Sequence, residues 1–169
     1  MPMKIDLERA LLGKICDLET LKSKVDFWQS EGDKVVFTNG VFDLLHIGHI
    51  TYMAKAANLG DKLIIGLNAD SSVRRIKGPT RPVNDQSNRA ALLAALFFVD
   101  GIVVFEEDTP LNIITTLLPD ILVKGADYAI ENIVGGKEVI ANGGEVKTID
   151  LVEGYSSTSI IQRIQNQGT

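Results

Sequence analysis

Apolar residues in the first segment recur at spacings of three and four: Leu7, Leu11, Ile15, Leu18, Leu21, Val25 and Trp28. That period predicts one or two amphipathic helices, closed by Glu31-Gly32-Asp33. The pattern then changes. Lys34 to Thr38 is a short apolar run bounded by turn residues, which reads as a strand. Further strands are expected at Leu63–Leu67, Ile102–Phe105, Ile121–Val123 and Glu145–Ile149. Between them, helical patterns cover His46 to Asn58 and Asp85 to Phe98. Another begins at Thr109-Pro110, read as an N-cap with proline at the first helical position, and stops at Pro119. A short helix over Lys137–Asn142 ends at Gly143-Gly144, and a last one spans Ser156–Gln165.

Strands that alternate with helices and are nearly continuous in apolar residues belong to a parallel sheet covered on both faces. The expected fold class is α/β, a doubly wound parallel sheet of about five strands. Residues 1–32 are expected to form an N-terminal helical extension, and 33–169 one domain. In such folds ligands sit beyond the carboxyl ends of the strands, so the loops that follow strands are where chemistry is expected.

Composition narrows the function classes. The chain has 169 residues, 45% hydrophobic and 23% charged, which is ordinary globular usage. The net charge of −5 leaves no basic surplus for nucleic acid or an anionic membrane. One cysteine, Cys16, excludes an intrachain disulfide and a cysteine-rich metal site; it fits a reducing compartment, and a small apolar role within a helical pattern is expected. No apolar run approaches the length of a membrane span, and the N-terminus has no secretory h-region, so a cytoplasmic protein is expected.

The loop after the first strand is the most informative stretch: Thr38-Asn39-Gly40-Val41-Phe42-Asp43-Leu44-Leu45-His46-Ile47-Gly48-His49. It leads from a strand into a helix, whose unpaired N-terminal N–H groups attract anions. Gly40 and Gly48 allow close approach of a ligand. His46 and His49 are the chain's two histidines and stand three residues apart, on one side of the helix start. Two ligands without a cysteine or third histidine make a poor zinc site, and the spacing is neither that of a P-loop nor G-x-G-x-x-G. Asp43 is expected to cap its own following turn. Downstream, Lys77 stands in a basic cluster with Arg74, Arg75 and Arg81, notable on an acidic chain but also the composition of a solvated helix face.

T-N-G-V-F-D-L-L-H-I-G-H resembles the nucleotidyltransferases with an H-x-G-H signature, the cytidylyltransferase-like enzymes. The runs Val73–Val83, Asn88-Arg89, Phe105–Pro110, Leu122–Tyr128 and Gly154–Ser159 are similar to one branch of that family, the heptose 1-phosphate adenylyltransferases. The likeness covers roughly residues 20 to 165. The chain's length leaves no room for the sugar-kinase half of the bifunctional members, so a stand-alone form is expected.

The resemblance implies a Rossmann-like nucleotidyltransferase fold and a reaction of ATP with a sugar 1-phosphate, D-glycero-β-D-manno-heptose 1-phosphate, giving an ADP-sugar and pyrophosphate. The attacking phosphate is already an anion, so positioning and charge neutralisation suffice. The resemblance implies catalytic roles for His46, His49 and Lys77. It implies nucleotide contacts from Val41, Phe42, Gly48, Arg89, Ser157 and Thr158, with the Phe42 side chain itself structural and Arg89 equally suited to a salt bridge. Lys124 and Asp127 are implied at the acceptor. Leu151 and Val152 stand where some relatives carry an arginine, so that contact is not carried over. Mg²⁺ is expected with ATP, without a dedicated carboxylate cage. A homodimer is compatible with the resemblance. Two other readings stay open: a cytidylyltransferase acting on glycerol 3-phosphate or another phospho-alcohol, and a nucleotide-binding module without turnover.

Overall fold

The computed structural model describes residues 6–126 and 129–167. Five strands run Val35–Gly40 (β1), Lys62–Asn68 (β2), Gly101–Phe105 (β3), Ile121–Gly125 (β4) and Glu145–Ile149 (β5). They form one sheet in the order β3-β2-β1-β4-β5, every neighbouring pair parallel. The chain builds outward from β1 to β3, then returns past β1 to lay down β4 and β5. Strand order therefore reverses between β1 and β4, and a crevice opens at their carboxyl ends.

Helices cover both faces, because alternate strand residues point to opposite sides. On one face Val36, Leu63, Ile65, Leu67, Ile102 and Val123 pack with Met53 and Ala56 of α3 (Ile47–Ala57) and with Ala90 and Leu93 of α5 (Gln86–Ala94). On the other, Val35, Phe37, Ile64, Val103 and Leu122 pack with Leu21 and Val25 of α2 (Leu18–Ser30), with Ile113, Ile114 and Leu117 of α6 (Leu111–Leu117), and with Val139 of α7 (Gly136–Ala141). The remaining helices are α1 (Leu7–Leu12), α4 (Asp70–Lys77) and α8 (Ser157–Gln167). The N-terminal segment joins the sheet: Ile102 N donates to Lys14 O at 2.8 Å, and Cys16 N to Ile102 O at 2.9 Å.

The sheet and its order of elements match the α/β expectation. Four local details differ. Cys16 lies half-buried in the link between α1 and α2, not within a helix, and its backbone is spent on the edge of β3. Pro110 itself occupies the cap position of α6, with no side-chain cap bond, so Thr109 is not the cap. The basic stretch ends a helix, α4, that its polar composition had concealed. Lys124 belongs to β4, not to the loop after it.

Candidate functional site

The carboxyl ends of β1, β2 and β4 open into a cleft of about 700 Å³. Its floor is the loop from Gly40 to His46. Phe42 takes a left-handed backbone (φ 46°) and folds its ring under Gly40, where a Cβ would lie 2.9 Å from it. The same ring meets His49 edge-on, with centroids 5.3 Å apart. The Phe42 side chain is thus buried support.

His46 is the N-cap of α3: in extended conformation, its Nδ1 accepts the backbone N–H of His49 at 3.4 Å. An imidazole nitrogen that accepts a hydrogen bond carries no proton, so neutral His46 holds its proton on Nε2, as a donor. The two rings stack 3.8 Å apart at 20°. Burial pushes the pKa of His46 below its ordinary value. Burial, with the neighbouring His46, pushes His49 down to about 4, with the nearby Leu44 backbone working upward. Both rings are neutral at pH 7, and His49 Nδ1 is buried without a partner among the described residues. A Cβ on Gly48 would stand 3.0 Å from the His46 ring and 3.3 Å from Tyr155 Cβ. Glycine at this position lets the cap histidine and Tyr155 close over the helix start.

The start of α8 forms the opposite wall. Ser156 Oγ accepts from Ser159 N at 3.0 Å and is its cap. Ser157 Oγ donates to Leu44 O at 3.1 Å, which ties this helix to the histidine loop; Thr158 is exposed and also lines the cleft. The cleft therefore receives the N-terminal turns of both α3 and α8, partial positive charges that suit phosphate. Full charges join them. Lys77, at the last position of α4, is exposed and has no partner among the described residues. Lys124 donates to Asn39 Oδ1 across β1 and β4.

Val41, Phe42, His46, Gly48, His49, Lys77, Lys124, Ser157 and Thr158 all line this one cleft. Asp127 lies outside the described residues. Arg89 stands apart: it is fully buried behind the floor. Its Nε donates to Asn84 O at 3.0 Å, its Nη1 to Val41 O and Asn68 O at 2.8 Å each, and its Nη2 to Asp70 Oδ1 at 2.7 Å. Those bonds correct the expected nucleotide contact, because the guanidinium is spent on holding the loops together. Asp43 is corrected too. Its carboxylate caps no local turn; it accepts from Arg81 Nε and from the backbone N–H groups of Val83 and Asn84.

Sequence reasoning missed Asn39, Asp108, Thr109 and Tyr155 as lining residues. Their one shared signal was position, since each lies at or beyond the carboxyl end of a strand. Among the described residues, no group of three or more His, Cys, Asp or Glu side chains could hold a metal ion, and no helix is long and apolar enough to cross a membrane.

The family model described as cytidylyltransferase-like matches residues 37–163. The bifunctional protein HldE of Cronobacter sakazakii is 50% identical over 167 residues, which is 95% of this chain and 35% of that protein. That of Syntrophotalea carbinolica is 55% identical over 146 residues, 86% of this chain and 30% of that one. The chain spans about a third of the length of these curated relatives. Among solved structures, the lipopolysaccharide core biosynthesis protein from Thermoplasma volcanium is 30% identical with a TM-score of 0.58, covering 74% of this chain and 100% of that one. The pantoate-beta-alanine ligase of Francisella tularensis shares the fold, with a TM-score of 0.57 at 17% identity over 90% of this chain and 76% of that one.

Proposed function

The chain belongs to the cytidylyltransferase-like family, and on that premise we propose that it transfers AMP from ATP to D-glycero-β-D-manno-heptose 1-phosphate, releasing pyrophosphate. One observation carries the reading: two neutral imidazoles, two helix N-termini and two lysines converge on one cleft at the strand-order switch. That set suits a polyphosphate and a second phosphate better than any neutral ligand. The names of the relatives, HldE and a lipopolysaccharide core biosynthesis protein, agree with a nucleotide-sugar product.

In this reading an oxygen of the sugar phosphate attacks the α-phosphorus in line, and pyrophosphate departs. The attacking oxygen is an anion and needs no general base. His46 donates from Nε2 to the α-phosphate oxygens as charge builds there, with His49 stacked behind it. The N-terminal turns of α3 and α8, with Ser157 and Thr158, cradle the triphosphate. The backbone at Val41 and Phe42 lies along the nucleotide, and Gly48 keeps the floor open. Lys77 closes on the leaving pyrophosphate, and Lys124 neutralises the acceptor phosphate. Magnesium would enter with the nucleotide and would offset part of its charge. We place the reaction in the reducing cytoplasm, in keeping with a single cysteine.

The test is pyrophosphate release with Mg²⁺, crossing ATP and CTP with heptose 1-phosphate and glycerol 3-phosphate. Release with ATP and heptose 1-phosphate alone is expected. Release with CTP and glycerol 3-phosphate overturns the substrates and keeps the chemistry. With the active pair, His46→Ala lowers kcat by about 10²- to 10³-fold, the usual cost of one donor to a developing oxyanion. Nucleotide binding without release for any pair favours a binding module.

A further inference from the structure

Three arginines near the cleft use their guanidinium groups differently. Arg89 is fully buried, and all three of its nitrogens donate to protein oxygens. Arg75 is half exposed and uses Nε on Asp108 and Nη2 on Glu106 O at the surface. Arg81 fits neither pattern. Its side chain is only 15% exposed, yet only Nε is engaged, at 2.6 Å from Asp43 Oδ2. Neither Nη group has a hydrogen-bond partner among the described residues, and neither is sealed from solvent. The residue lines the cleft.

A guanidinium carries five N–H donors, and four of them are on the Nη pair. In Arg81 those four make no bond to the described residues and keep contact with solvent, so an oxyanion can replace water there without breaking a protein bond. It is the arrangement expected of a fork waiting for a planar or tetrahedral oxyanion. The partner is correspondingly rigid. The Asp43 carboxylate is 1% exposed and accepts from Val83 N at 2.8 and 3.0 Å and from Asn84 N at 3.0 Å, besides Arg81. Asn84 Nδ2 returns a bond to Asp43 O at 3.1 Å. Burial works against the charged carboxylate, but the bonds from Asn84, Val83 and Arg81 outweigh it and hold the pKa below its ordinary value. The anchor stays charged, and it sits in the same loop as His46.

We propose that Arg81 is a phosphate-binding residue of the cleft and that Asp43 is the positioning residue that aims its Nη pair. The inference rests on the reading of the cleft as a site for a nucleoside triphosphate and a phosphorylated acceptor. The phosphate belongs to one of those two ligands. Arg81 thereby links the segment after α4 to the histidine loop through the substrate as well as through the protein.

Titration calorimetry on the full chain tests this with three probes: MgATP, inorganic pyrophosphate and heptose 1-phosphate. Arg81→Gln is expected to weaken either the first two or the third by about tenfold or more, the scale of a charge-assisted hydrogen-bonded pair. Loss for ATP and pyrophosphate assigns the triphosphate; loss for heptose 1-phosphate assigns the acceptor. Arg81→Lys does not restore affinity, because one ammonium cannot hold Asp43 and a phosphate in fork geometry. Asp43→Asn weakens the same probe by a smaller factor and raises KM for that ligand more than it lowers kcat. Lower melting temperatures with unchanged affinities for all three probes overturn the proposal and leave a structural ion pair.

A measurement on the unaltered chain covers variants that do not fold. Phenylglyoxal modification of Arg81, read by mass spectrometry, is expected to be blocked by saturating pyrophosphate or sugar phosphate. Modification that proceeds equally with every probe overturns the proposal. Binding of MgATP without heptose 1-phosphate sinks the acceptor reading, while Arg81 remains testable on ATP and pyrophosphate. Binding of none of the three overturns both.

Discussion

The histidine loop and the segment from Gly78 to Asn84 reach the same cleft but are held differently. The histidine loop has local organisation of its own besides its long-range ties. Phe42 folds under Gly40, and His46 caps the helix three residues on. The later segment has little local structure of its own: its Arg81, Val83 and Asn84 are tied to Asp43, 38 to 41 residues away in the chain. Arg89 then joins the two regions, since it donates to Val41 O on one side and to Asn84 O on the other. Local bonds make a region recognisable as a motif. Long-range bonds make a region that depends on the fold being complete.

The strongest way to break the comparison is to remove the joint. Arg89→Leu leaves three carbonyls and Asp70 short of a donor in a buried place, and is expected to destabilise the chain by about 3–5 kcal/mol. Chemical denaturation measures it; a loss under ~1 kcal/mol means that the two regions are held independently.

Acid should act on the histidine loop alone. Its folded-state pKa values are lowered, His49 to about 4 from an ordinary 6.5. As pH falls from 6.5 toward 4, the unfolded chain takes up protons before the folded one. The stability these rings lend is therefore fully present above pH 6.5 and is lost progressively toward pH 4. NMR titration of the His49 ring protons is expected to show a midpoint near 4, while Arg81 contacts stay unchanged. A midpoint near 6.5 means that the ring is solvated and that the stack on His46 is open.

The smallest effect sharpens the contrast from the other side. Arg75 pairs with Asp108 at 3.0 Å, but the two side chains are 50% and 75% exposed. Arg75→Ala is expected to change stability by less than about 1 kcal/mol by denaturation. A larger loss would make this surface pair, and not Asp43, the main restraint on the end of α4.

Much of this was legible in one dimension. Alternating apolar strands and helices lead to the doubly wound sheet, because burial on both faces admits few other arrangements of those elements. The strand–loop–helix run with His46, Gly48 and His49 pointed to the cleft, because its geometry is set within a dozen residues. The helix α4 was hidden by its polar face, and Lys124 read as a loop residue because strand ends carry no local stop signal as sharp as a helix cap.

By itself the sequence determined the order of elements, the edge of the sheet where the cleft opens and the residue types that line it. Periodicity and local caps encode those directly. Only the tertiary structure decided which arginine is spent and which is free. Arg81 and Arg89 carry the same side chain, and their roles diverge through partners brought close by the return of the chain across the sheet. Burial then decides the outcome: a guanidinium enclosed by carbonyls becomes a brace, and one beside the cleft whose Nη pair meets no acceptor among the described residues is left with donors to give.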